Sequence, residues 1–234
     1  MTGTIVNVLS IVGGGLLGLL LGSKLKDQLK QSVVNGLGLF TLLYAISLFM
    51  KTQNALIALG SVVIGILLGE WWRIEDGLEW VGIKLEAKFN KPNGADGSAK
   101  FIKGFLTSTL LFCIGPMAIL GSIQDGLTGD FNTLLIKSVL DGFTAMAFAS
   151  TLGVGVLFSA LPVLLYQGVI TVLAQQVQKI ATPEMMNELT ATGGVILAGL
   201  AISNILGIKK MRTGNFLPAL IIAPLIVFIL SLIK

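Results

Sequence analysis

The stretch GFTAMAFASTLGVGVLFSALPVLLYQGVITVLAQQVQ, residues 142–178, runs for 37 residues without a charged side chain. As a single helix it would extend about 55 Å, nearly twice the roughly 30 Å hydrocarbon core of a bilayer. One crossing cannot contain it. The glycines of Leu152-Gly153-Val154-Gly155 offer a place to divide it into two crossings, 134–151 and 154–176. Outward from this stretch, the charge-free windows 4–22, 33–50, 52–69, 104–124, 189–208 and 213–233 are each long enough to span. Spans are therefore expected at 4–22, 33–50, 53–69, 102–121, 134–151, 154–176, 189–207 and 214–233.

The expected fold is an all-α, polytopic transmembrane helical bundle of about eight spans; seven plus a re-entrant segment is the alternative. The chain is read as one integral membrane domain, 1–234. Spans one to three fill 1–69, an interfacial helix and loop 70–100, a polar region with a duplicated motif 101–152, and spans six to eight 153–234. Composition agrees: 54% of residues are hydrophobic and 12% charged, against roughly 25% charged in soluble domains. The run after MTGTIVNVLS is a full span without a basic leader region, and is read as a retained first helix.

Histidine is absent and Cys113 is the only cysteine, which excludes His-based triads, imidazole zinc sites and a disulfide framework. The net charge of +4 sits between apolar windows, where it sets topology rather than binding nucleic acid. With eight spans one face receives 12 basic residues and the other 4, so the richer face is expected to be cytoplasmic and both termini extracytoplasmic. Merging spans five and six weakens this to 11 against 5.

In EWWRIEDGLEWVGIKLEAKFNK, Trp71, Ile74, Leu78, Val81 and Leu85 recur at helical spacing, predicting an amphipathic helix in the cytoplasmic interface, followed by a turn-rich KPNGADGSAK exit. Gly14, Gly18 and Gly22, and again Gly65 and Gly69, are spaced for close helix packing, within a protomer or in a homo-oligomer. NGLGLFTLLYAIS and ATGGVILAGLAIS resemble each other, and the charge pattern sends spans two and seven in opposite directions, so an inverted repeat is a candidate arrangement.

The polar centre of the sequence is a duplication. Ser122-x-x-Asp125-Gly126-x-Thr128 and Ser138-x-x-Asp141-Gly142-x-Thr144 share one pattern sixteen residues apart. An ionised carboxylate in mid-span costs roughly 2.5–3.5 kcal/mol, so Asp141 is expected to face a cavity, be paired or be protonated. Lys137, Ser138 and Thr144 share its helix face. Gly121, Gly126 and Gly129 are expected to fray the first copy and free backbone carbonyls, with Pro116, Gly121, Gly126 and Gly142 as hinge positions. Asp125 and Asp141 are then the candidate ligands of a hard cation or a proton. Ser122, Ser138, Thr128, Thr144 and Gln124 would be auxiliary oxygens, with Lys137 setting the local charge. The alternative is a structural Lys137–Asp141 pair beside a solvated turn. Asn7, Asn35, Gln167 and Asn204 are read as interhelical glue. Pro116, Pro162, Pro218 and Pro224 lie inside expected spans as kinks.

CIGPMAILGSIQDGLTGD, the following KSVLDGFTAMAFASTLGVGVLFSALPVLLYQG, the N-terminal GTIVNVLSIVGGGLLGLLLG and LGEWWRIE resemble the bacterial YqgA-like integral membrane family, domain of unknown function family 554, over the whole chain. The resemblance implies a bacterial cytoplasmic-membrane protein and brings no substrate or catalytic residues with it. The expected function is a secondary transporter or ion-conducting protein with an acidic intramembrane site. Its partners would be the bilayer and a small solute or inorganic ion, with no cofactor beyond a bound cation. A membrane scaffold or sensor is the second reading. An intramembrane aspartyl hydrolase is the third, disfavoured because no Gly-x-Gly-Asp occurs. No G-x-x-x-x-G-K-[ST] loop is present to drive pumping by ATP.

Overall fold

The computed structural model describes residues 1–22, 24–89 and 95–233. Its helices are α1 (Thr2–Gly22), α2 (Asp27–Phe49), α3 (Ala55–Trp72), α4 (Ile74–Phe89), α5 (Ala95–Ile114), α6 (Pro116–Thr128), α7 (Asn132–Leu152), α8 (Gly155–Phe158), α9 (Ala160–Val172), α10 (Ala174–Ile180), α11 (Pro183–Leu200) and α12 (Ala219–Ile233). A π-helical turn, Ala201–Ile205, continues α11, and a 3₁₀ turn, Thr213–Phe216, leads into α12.

Seven helical segments are long and apolar enough to cross a membrane, and they number eight if α5 and α6, bent by 60° from each other, make one span. The bend falls at Gly115-Pro116, where Pro116 opens α6 as its first residue, a position whose N–H would be unpaired anyway. The long uncharged stretch divides where expected. Gly153 ends α7 at φ +83°, a conformation side-chain-bearing residues rarely adopt.

Helix directions count the bent pair as a crossing. On α1, an added Cβ at Gly14 would lie 2.1 Å from Gly142 O, at Gly18 2.1 Å from Met146 O, and at Gly22 2.7 Å from Ser150 Cα. Both sequences ascend together, so α1 and α7 are parallel. With α2 and α3 each crossing once, the chain returns to the side where α1 began only if α5–α6 crosses as well. The other pairs conform. Gly65 meets Ala219 and Gly69 meets Asn215, so α3 and α12 are antiparallel. Gly194 meets Ala45 and Gly38 meets Leu206, so α2 and the α11 continuation are antiparallel, the relation an inverted repeat demands. The glycine ladders thus serve packing inside the protomer, where backbones approach too closely for any side chain.

One core cluster joins Ile11, Phe112, Ala145, Phe148, Val156 and Val163; a second joins Ala45, Leu48, Ile196, Leu200 and Ala219. Many large apolar side chains point outward instead, including Leu20, Phe40, Leu67, Phe143, Leu165 and Ile221. This inversion suits a solvent as apolar as the core.

Two expectations at the basic face need correction. Trp71 is not on the amphipathic helix: it lies in the last turn of α3, and Arg73, at φ +53°, separates α3 from α4. Leu78 and Leu85 pack on Phe101, Phe105 and Leu106, while Trp80, Val81 and Ile83 are exposed, so α4 is amphipathic with part of its apolar stripe docked on the bundle. Polar bonds fasten the start of α4. Arg73 Nε donates to Asp76 Oδ2 at 2.6 Å, and Arg212 bonds Asp76 and, at 3.2 Å, Glu70. Glu75 Oε2 accepts from Gly214 N at 2.8 Å, and Asn215 Oδ1 from Glu75 N at 2.7 Å. Arg73 and then Arg212 hold the Asp76 carboxyl below its ordinary 3.8, whereas burial pushes the Glu75 carboxyl above 4.5 despite the Gly214 bond. Residues 91–94 of the expected turn-rich exit lie outside the described residues, and the rest of it is helical, because α5 begins at Ala95.

Candidate functional site

Asp141 sits at the midpoint of α7, ten residues into a 21-residue helix, with 7% of its surface exposed. Its Oδ2 accepts from Lys137 Nζ, one turn earlier, and from Asn7 Nδ2 of α1 at 3.1 Å. Lys137 is itself 5% exposed, and its ammonium lies 5.9 Å from the Phe112 ring centroid. The same Asn7 nitrogen donates to Gln167 Oε1 of α9 at 3.4 Å. Three helices, α1, α7 and α9, are thus joined through the Asn7 amide.

On its other flank Asp141 meets a cavity of about 230 Å³ between α2, the α5–α6 break, α7 and α11. Thr41, Tyr44, Lys137 and Thr144 contribute polar atoms to its wall, Phe40 and Phe112 aromatic faces, and Gly115 the break itself. A helix interrupted at membrane depth leaves backbone groups without intrahelical partners, an arrangement tolerated where it lines a cavity or is buried in protein. Ion and solute sites of broken-helix transporters are built this way.

Asp125 occupies a different place. It is on α6 and 5% exposed, its Oδ2 accepts from Gly3 N at 3.0 Å, and its Oδ1 lies 3.1 Å from the Met1 ammonium. The two aspartates share no partner, though both reach α1 one turn apart. Among the described residues, no three His, Cys, Asp or Glu side chains converge as metal ligands would.

The expected auxiliary oxygens are already engaged. Ser122 donates to Ala118 O, Ser138 to Leu134 O, Thr128 to Gln124 O and Thr144 to Leu140 O, each four residues back along its own helix. Gln124 is exposed and accepts from Thr133 Oγ1 at 2.7 Å. Gly121 and Gly126 do not fray α6, which is continuous to Thr128; added Cβ atoms there would strike Leu134 and Thr171 O. Gly142 lies against Ser10 of α1. The duplicated motif is therefore better described as a packing pattern. In each copy the hydroxyls turn back on the helix, the glycine admits a neighbouring backbone, and the aspartate reaches across to α1. Of the hinge residues, only Pro116 stands at a break.

Asn7 and Gln167, both fully buried, are the site residues that sequence reasoning placed outside the site. Their interhelical bonding agrees with their reading as glue. A further signal lay in spacing: Thr4 and Asn7 are three residues apart on α1, Gln167 and Thr171 four apart on α9. Thr4 Oγ1 and Thr171 Oγ1 meet at 3.4 Å. Asn35 takes no part: it accepts from Gln31 within α2.

These features define a multi-pass helical membrane protein with a buried acid–base pair at the wall of an intramembrane cavity. The chain belongs to the family described as Protein of unknown function (DUF554), whose model matches residues 2–228. It is similar to the Uncharacterized membrane protein YdfK of Bacillus subtilis (strain 168), with 32% identity over 234 residues, covering 98% of this chain and 97% of the relative. It is also similar to the Uncharacterized protein YqgA of Escherichia coli (strain K12), with 33% identity over 221 residues, covering 94% of each. No solved structure matches.

Proposed function

We propose that the protein is a secondary transporter or ion-conducting protein of the bacterial cytoplasmic membrane, with the Lys137–Asp141 pair as its charge-handling centre and the α4 face toward the cytoplasm. The single observation that carries this reading is a carboxylate and an ammonium, both nearly excluded from the surface, at the wall of a cavity beside a broken helix. A purely structural pair gains little inside a bundle, because desolvation offsets the attraction. Functional ionisable groups inside membranes face cavities and pair in this way.

The ligand set favours a proton over a metal ion as the coupling species. Asp141 is surrounded by donors, Lys137 Nζ and Asn7 Nδ2, whereas a hard cation requires several oxygens. The cavity is smaller than the 300–1,000 Å³ of pockets for drug-sized ligands, which suits a small solute or ion. Asp125 lies on the path to the site rather than in it.

The test is proton flux into vesicles containing the reconstituted protein, under an imposed potential, with an interior pH dye. Asp141→Asn should remove protein-dependent flux while retaining the monodisperse, helical state. Wild-type flux in that variant would overturn the reading.

A further inference from the structure

The buried amides at the α1–α9 seam have a bonding deficit of defined sign. Asp141 can only accept when ionised, which fixes the Asn7 nitrogen toward it, and Gln167 Oε1 takes a second bond from that nitrogen. Asn7 Oδ1, an acceptor, and Gln167 Nε2, a donor, are left with no protein partner, although both residues are fully buried. A buried polar group without a partner costs about 1–3 kcal/mol. Water can donate to one and accept from the other, and buried waters ordinarily occupy such polar niches.

Hydroxyls lie beside this niche. Thr171 Oγ1 donates to Gln167 O at 2.8 Å, so in its 3.4 Å contact with Thr4 Oγ1 the Thr4 hydroxyl is the donor. Gly126, next to Asp125, packs on Thr171 O, and Gly3, which donates to Asp125, precedes Thr4. Along α1, positions 3, 4 and 7 therefore place a backbone N–H, a hydroxyl and an amide in order between Asp125 and Asp141, with gaps that only water can bridge. On the cavity flank the titratable groups near Asp141 are Lys137, Tyr44 and Cys113. Among the described residues, the polar side chains that bond across the α1–α9 seam, Thr4, Asn7, Gln167 and Thr171, are amides and hydroxyls.

We propose that Asn7 and Gln167 hold ordered water at this seam, and that the water with the Thr4 and Thr171 hydroxyls forms the proton path between Asp125 and Asp141. This rests on the transport reading above. Each step is a transfer between oxygens: Thr4 Oγ1 gives its proton to Thr171 Oγ1, Thr171 turns its own from Gln167 O to the water, the water releases one to Asp141, and Thr4 regains a proton from Asp125 through water, so no charge accumulates. The amides are positioning residues, which hold the water and carry no proton themselves. Asp125 receives the proton at the end of the bundle where α1 begins, and Asp141 receives it at mid-depth, beside the cavity.

The experiment has two arms on the full-length protein in vesicles. Infrared difference spectra in H₂¹⁶O and H₂¹⁸O should show an isotope-sensitive O–H stretch from internal water that disappears in Gln167→Leu. A wild type lacking that band, or a band that persists in Gln167→Leu, overturns the water site. In the flux assay Thr171→Val, which keeps the side-chain shape without the hydroxyl, should lower Asp141-dependent flux about tenfold or more, and Thr171→Ser should restore it. Wild-type flux in Thr171→Val overturns the path. The transport reading fails separately, by an absence of any flux sensitive to Asp141→Asn, and the infrared arm still decides the water site in that event.

Discussion

Removing the two members of the Lys137–Asp141 pair singly and together distinguishes a buried, coupled pair from a decorative one. Lys137→Met leaves the Asp141 carboxylate in protein with only the Asn7 amide to stabilise it, and Asp141→Leu leaves the Lys137 ammonium facing Phe112 and the cavity. Breaking a buried ion pair from one side costs about 3–5 kcal/mol. At about 2–4 °C per kcal/mol for a chain of this size, each single variant should melt roughly 6–20 °C below wild type. The double variant removes both charges and fills the space with apolar atoms, and its remaining loss is the Asn7 bond. It should lie within about 2 kcal/mol of wild type. The coupling energy from the cycle is then at least about 4 kcal/mol. Thermal unfolding in one detergent, followed by helical circular dichroism, measures all four proteins. Single variants that lose less than about 1 kcal/mol, as exposed bridges do, would show that the pair is not coupled. So would a double variant as unstable as the sum of the singles.

Other expectations follow from the packing and the polar contacts at the two faces. Gly18→Ala places a methyl on the α7 backbone and should cost about 1–3 kcal/mol, whereas Gly13→Ala, with nothing within 4 Å, should be neutral or slightly stabilising; melting temperatures compare them. Glu188 accepts from Thr52 Oγ1, Gln53 N and Asn54 N, so Glu188→Ala should cost about 1–3 kcal/mol and accelerate hydrogen exchange at the amides of 53 and 54. At the α4 face the two carboxyls carry opposite pH signs. The Asp76 contribution is present above its ordinary 3.8 and lost as pH falls through its lowered folded value, and Asp76→Asn should abolish that acid-side loss. The Glu75 contribution is present below 4.5 and lost as pH rises through its raised folded value, and Glu75→Gln should remove that decline; melting temperature against pH reads both.

Several local features were legible because local chemistry decides them. Apolar windows longer than a bilayer's core forced helices, since no other open backbone satisfies its own polar groups in lipid. The glycines at 153 and 155 were visible as the division of the longest window, and Asp141 with Lys137 was visible as a pair because the two lie one helical turn apart. The glycine spacing of α1 announced a close contact without naming the helix that makes it.

What escaped the sequence depends on which helices meet. The duplicated Ser-x-x-Asp-Gly-x-Thr pattern suggested one site made from two copies, but each copy docks on a different part of α1, and its hydroxyls bond within its own helix. Three shared residues around each aspartate mark its helix face, and nothing in that spacing specifies the residue on the opposite helix. Asn7 and Gln167 lie 160 positions apart and meet only after α1, α7 and α9 have packed. Hydropathy and spacing along the chain were enough to place it in a membrane, to locate most of its crossings and to bury a charge at 141. Tertiary structure alone decided that Asp125 stands apart, that Asn7 and Gln167 take its place, and that a cavity borders Asp141, because hydrogen bonds between helices and the voids between them are properties of packing, not of any one segment.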